Sequence, residues 1–141
     1  MRIVRPETTW RVLLTDGREP LCLQHLAFSC GYRVKGMVEE LDCSGRYVHK
    51  VFMRDVGVPP KIWMRQERMV RARNMVEGGS TNEDVAEKLG FSSAGSFRRE
   101  FVAIYGLPPV EYVKAFAERA VLSRRVFPTP LRRMGKELGF C

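Results

Sequence analysis

The chain says the same thing twice. Phe52-Met-Arg-Asp-Val-Gly57-Val58-Pro59-Pro60-Lys-Ile-Trp63 recurs 49 residues later as Phe101-Val-Ala-Ile-Tyr-Gly106-Leu107-Pro108-Pro109-Val-Glu-Tyr112. The shared pattern is F-x4-G-[VL]-P-P-x2-[WY]. At the same offset Ser44 matches Ser93, Val48 matches Phe97 and Lys50 matches Arg99. Further upstream the offset is 48, so that Met37-Val38-Glu39 and Leu41 match Val85-Ala86-Glu87 and Leu89. Self-similarity at a fixed spacing is the mark of one supersecondary unit built more than once. A fold for this chain must therefore accommodate two copies of that unit.

Each copy reads as helix, tight turn, helix. In the second, Ser80-Thr81-Asn82 offers capping oxygens and Glu83 and Asp84 fall in the first turn, where the helix dipole favours acids. Val85, Ala86 and Leu89 give one apolar face, and Gly90 supplies a positive-φ stop. Ser92 or Ser93 caps the next helix, whose buried stripe is Phe97, Phe101 and Ile104 or Tyr105, ended by Gly106 and Pro108-Pro109. The first copy runs from Val34 to Leu41, turns at Asp42-Cys43, and continues from Ser44 to Val56 with Val48, Val51, Phe52 and Val56 inward. Val38 stands there for the small Ala86, and Asp42 for the turn glycine; Asp tolerates that conformation better than most residues.

Between the copies, Pro60 to Glu77 reads as a single helix, opened by Pro60 and closed by Gly78-Gly79. Its apolar positions are Ile62, Met69, Ala72, Met75 and Val76, inside a basic envelope. At 1.5 Å per residue it is a strut of about 27 Å. Leu21, Leu23, Leu26, Ala27 and Phe28 suggest a covering helix ahead of the first copy, and Val110 to about Arg125 another after the second. Trp10 to Leu14 is open to helix or strand. The expected fold is all-α: two helix-turn-helix subdomains joined by a long linker helix, about seven helices. The divisions are 1–18, an extension; 19–59, the first subdomain; 60–79, the linker; 80–125, the second subdomain; and 126–141, a tail after Pro128 and Pro130.

Of 141 residues, 24 are Lys or Arg and 16 are Asp or Glu, a net charge of +8. Residues 1–40 carry 6 basic and 5 acidic groups, residues 41–78 carry 8 and 4, and residues 79–141 carry 10 and 7. The positive field belongs to the last hundred residues and points to a polyanionic partner. An apolar content of 45% suffices for a core. No uncharged stretch approaches the roughly 20 residues of a bilayer span, and no apolar stretch near the start resembles a secretion signal. Cys22, Cys30, Cys43 and Cys141 lack zinc-ligand spacing, so no metal and no cofactor is expected. The first three read as small apolar residues of a reducing cytosol. With no nucleophile–base set, carboxylate pair or phosphate-cradling loop, the chain does not read as an enzyme.

Ser44-GRYVHKVF-MRDV-Gly57-V-P-Pro60, Arg68-M-V-R-Ala72 and Gly90-Phe91-SSAGS-Phe97-RRE-Phe101-VAIY-Gly106-LP-Pro109-VE-Tyr112 together resemble the DNA-binding domain of the AraC/XylS family of bacterial transcription regulators. The resemblance covers about residues 20–115. It implies a cytoplasmic, nucleoid-associated regulator that reads double-stranded DNA with two recognition helices in successive major grooves, as a monomer or with RNA polymerase as a further partner. With Val48 and Phe52 inward, Arg46, His49 and Lys50 are base-contact candidates on the first helix. Gly95, Ser96 and Arg99 are their counterparts on the second, a half expected to contribute mostly phosphate clamping and affinity. Arg46 suits a bidentate contact with guanine. Phosphate-contact candidates are Ser44, Arg54, Lys61, Arg65, Ser93 and Arg98. Trp63 and Tyr112 read as core. The competing reading is a helical protein-interaction module that docks on RNA polymerase or another regulator.

Overall fold

The computed structural model describes residues 1–126, with side chains through Arg119. The chain forms two compact units, Met1–Arg68 and the part from Met69 onward, divided inside one helix. The C-terminal tail expected after Pro128 lies outside the described residues.

The first unit opens with three short strands, β1 (Arg2–Val4), β2 (Arg11–Leu13) and β3 (Leu21–Cys22), antiparallel in that order. Ile3 lies opposite Val12, and both are buried on one face while Arg2 and Leu13 turn away, the two-residue alternation of a half-covered sheet. Between β2 and β3 the Asp16 carboxylate accepts from Arg18 N at 3.1 Å, and Gly17 takes a φ of 82°. The segment around Trp10 is thus extended. Among the described residues seven helices stand as the all-α reading expects; the small sheet is what that reading lacks.

Helix α1 (Leu23–Ser29) covers the core with Leu23, Leu26 and Ala27. Helices α2 (Val34–Leu41) and α3 (Gly45–Asp55) follow, joined by a turn in which Asp42 adopts the left-handed conformation at φ 51°. There Cys43 N donates to Val38 O and Asp42 N to Glu39 O, so two of the last carbonyls of α2 are satisfied. Ser44 caps α3 by accepting from Tyr47 N at 3.1 Å. Val48, Val51 and Phe52 of α3 are buried against Met37 and Leu41 of α2, and Trp63 meets Phe52 edge-on at 5.7 Å. Full burial of such side chains contributes about 1.5–3 kcal/mol each. Cys30 and Cys43 carry free, half-buried thiols as expected, whereas Cys22, read from sequence as a third reduced cysteine, is disulfide-bonded.

Helix α4 (Pro60–Glu77) has the expected bounds, but its apolar face differs from the single stripe read from sequence. Ile62 is 43% exposed, and Trp63 and Met64 fill the first core instead. Met69, Ala72 and Val76 are buried in the second unit as expected. A helix that feeds two cores need not carry one continuous stripe, and the stripe expected from Ile62 to Val76 begins only at Met69.

In the second unit α4 is followed by α5 (Asn82–Lys88), α6 (Ala94–Tyr105) and α7 (Pro109–Val126). Thr81 caps α5 through Asp84 N, and Ser93 caps α6 through Ser96 N. Between them Gly90 has φ 74°, and Phe91 N donates to Ala86 O at 2.9 Å. This is the bond that Cys43 makes in the first unit. Phe97 and Phe101 are fully buried in a run of ring contacts linking Phe91, Phe97, Phe101, Tyr105 and Tyr112 at 4.7–5.7 Å. Of the two residues offered for the end of the stripe, Tyr105 takes the place and donates to Met69 O at 2.9 Å, whereas Ile104 is exposed.

Candidate nucleic-acid interface

In each unit the second helix of the pair is held by its inner face and by a serine cap, which leaves its opposite face to solvent. On α3 the buried residues Val48, Val51 and Phe52 occupy one side. Arg46, His49 and Lys50 are all exposed on the other, at the i, i+3, i+4 spacing that brings side chains together on a helix. Lys61 and Arg65 are exposed one turn apart in the first half of α4.

On α6, Arg98 and Arg99 are exposed, while Gly95 and Ser96 are half-buried. The Arg99 guanidinium folds back toward the start of the helix, so a Cβ added at Gly95 would lie 3.6 Å from its Nη1 and 3.7 Å from Ser93 Oγ. Those are ordinary contacts, so glycine is not sterically required there. The Ser44 and Ser93 hydroxyls are occupied as caps. What each position can present to an anion is therefore the positive end of the helix dipole and its first backbone amides.

Arg54 has a different setting from the other cations. Its Nε and Nη2 donate to the two carboxylate oxygens of Asp55 at 2.7 and 2.8 Å, and Nη2 also donates to Met1 O at 2.9 Å. The Asp55 side chain is 5% exposed, accepts from Ile3 N at 2.8 Å and lies 3.7 Å from Arg2 Nε. Its hydrogen bond with Arg54, assisted by the Ile3 amide, holds the carboxyl well below the usual carboxylate range despite burial. Together these groups fasten the edge strand β1 to the end of α3. The outward role expected of Arg54 takes no account of Asp55, because an adjacent Arg-Asp pair carries no signal of a strand 50 residues away.

Other outward positions are legible from the repeat alone. Met53 and Tyr47 are exposed on α3, and Val102 on α6. Lys114 is exposed on α7 at the position that repeats Arg65. The 49-residue offset, carried through every outward position, points to Lys114 and to the Met53–Val102 match. Among the described residues no group of three His, Cys, Asp or Glu side chains is placed to hold a metal ion, and no helix is long and apolar enough to cross a membrane.

Comparison with known proteins places this geometry among others. A family model described as a helix-turn-helix domain matches residues 37–115. An HTH-type transcriptional regulator of Mycobacterium tuberculosis is 31% identical over 87 residues, covering 61% of this chain and 34% of the relative. The Msm operon regulatory protein of Streptococcus mutans is 24% identical over 91 residues, covering 64% and 33%. The chain thus spans about a third of the length of these relatives. Among solved structures, the C-terminal domain of the two-component response regulator yesN of Fusobacterium nucleatum aligns with a TM-score of 0.57 at 24% identity, covering 64% of this chain and 90% of that one. The DNA-binding domain of the global transcriptional factor AdpA, solved in complex with a target DNA, aligns at 0.55 and 22% identity, covering 73% and 90%.

Proposed function

This chain belongs to the AraC-type helix-turn-helix family, and from that premise we propose that it regulates transcription by binding double-stranded DNA, with α3 and α6 each entering a major groove. The observation that carries the reading is the pairing, on α3, of a fully buried apolar face with an exposed face of Arg46, His49 and Lys50. An α-helix fits the major groove of B-DNA, and an arginine there contacts guanine O6 and N7 together, discriminating by about 1–3 kcal/mol. Lys50 and His49 flank that contact. On α6, Arg99 makes a base or phosphate contact, Ser96 stands beside it as a second base-contact residue, and Gly95 lets the backbone approach closely. Ser44, Lys61, Arg65, Ser93 and Arg98 serve phosphates, which fix register without reading sequence. Arg54 is proposed in the same class, although its guanidinium is already engaged with Asp55 and Met1. In this reading 19–59 and 80–125 are the two reading subdomains, 60–79 is the linker, and one chain suffices for a non-palindromic site.

Selection of DNA from a random pool by the purified chain tests this. A defined site should emerge, and its affinity should fall steeply with salt, since each phosphate contact releases counterions. Arg46→Ala should relax preference at one half-site, whereas Arg65→Ala should weaken all sequences alike. Binding to a protein surface with no DNA selected, and with little dependence on salt, would replace this reading with a docking module.

A further inference from the structure

Of the exposed large apolar side chains on α3 (Tyr47 and Met53) and on α6 (Val102 and Ile104), Met53 and Val102 lie on the faces turned away from the cores. Met53 is 45% exposed and Val102 is 39% exposed. The two occupy the same position of the repeat, 49 residues apart. On a helix of 3.6 residues per turn, Met53 lies seven residues from Arg46 and three from Lys50, on the side directly away from Val48, Val51 and Phe52. Val102 stands in the same relation to Gly95 and Arg99, away from Phe97 and Phe101. Single exposed apolar residues are common on protein surfaces and need no explanation. Here the repeat places one at the same point of two helices, in line with Arg46 and Lys50 on one and Arg99 on the other. The set 46, 49, 50 and 53 has the i, i+3, i+4, i+7 spacing with which a helix lying in the major groove reaches successive base edges.

The one apolar group that a base edge offers in the major groove is the thymine 5-methyl. We infer that Met53 and Val102 each contact a thymine methyl, so that each half-site carries one position read as thymine by apolar contact. The inference rests on the base-reading role proposed above for α3 and α6. Leaving either side chain exposed costs nothing to either core, and in the complex its apolar surface leaves water against the methyl. Met53, long and unbranched, reaches further than Val102 and tolerates more variation in the height of the base pair.

The test begins with the site selected by the whole chain and replaces each thymine in turn by deoxyuridine, which removes only the methyl group. One replacement in each half-site should weaken binding about three- to five-fold, the worth of one buried methyl. Met53→Gln, which keeps length and removes apolar character, should abolish the sensitivity in one half-site. Val102→Ser should abolish it in the other. Placing 5-methylcytosine at the same step should restore part of the affinity for the parent protein only. If no deoxyuridine replacement changes affinity, or if the sensitivity persists in both variants, the inference falls while Arg46-dependent guanine preference leaves the base-reading proposal standing. If no sequence is selected at all, both fall.

Discussion

Asp42 and Gly90 close the same turn in the two repeats with different chemistry. Both adopt left-handed backbone, at φ 51° and 74°, and both precede the residue whose amide reaches back to the preceding helix. Glycine adopts that conformation freely, while a residue with a Cβ is disfavoured by about 1–2 kcal/mol, less for Asp than for most. Asp42→Gly should therefore raise Tm by a few degrees in a thermal melt, because relief of the turn outweighs the extra freedom gained by the unfolded chain. Asp55 is the opposite case, a side chain satisfied by partners that no other residue can replace. Its carboxyl is held down in the folded state by Arg54 and the Ile3 amide, so in acid the unfolded chain binds the proton first. The stability it contributes is complete above about pH 5, where an unfolded Asp is ionised, and drains away as pH falls below the ordinary carboxylate range. Asp55→Asn should lower Tm by several degrees at pH 7 and flatten the loss of Tm between pH 5 and 3. Equal acid slopes in the two proteins would show that Asp55 does not carry the effect.

At the scale of elements, what could be read in advance depended on punctuation. The bounds of α4 are legible to the residue, and those of α3 and α6 nearly so, because Ser44, Ser93, Pro60, Gly78-Gly79 and Gly106 mark helix ends by mechanisms local to the chain, as the left-handed Asp42 marks the end of α2. The strands offered no such help. Three, three and two residues long, they are too short for an alternation to rise above chance, and their partners are fixed by tertiary contacts. The outward cations of α3 were legible because a helix whose inner face is known has a known outer one. The latch between β1 and α3 was not, since it joins residues distant in sequence through a carboxylate that looks ordinary there. The repeat supplies one more expectation at this scale. Lys114 on α7 corresponds to Arg65 on α4, and Lys114→Ala should reduce affinity for all DNA sequences by a similar factor in a binding titration while leaving the selected site unchanged.

For the molecule as a whole, the decisive property is that two separate cores share one helix. The first is sealed by Phe52, Trp63 and Met64, the second by Met69, Phe97 and Phe101. Phe101→Ala removes a fully buried ring in contact with Phe97, Tyr105 and Tyr112, a loss of about 3–5 kcal/mol. It should unfold the second unit at a temperature where the first survives. The molecule happens to be wired for watching this. Trp10 and Trp63 are its two tryptophans, and both belong to the first unit. Indole emission is thus a private channel for one half of the protein, silent about the other, and comparing it with total helical ellipticity during denaturation would reveal whether the halves melt in concert or one after another.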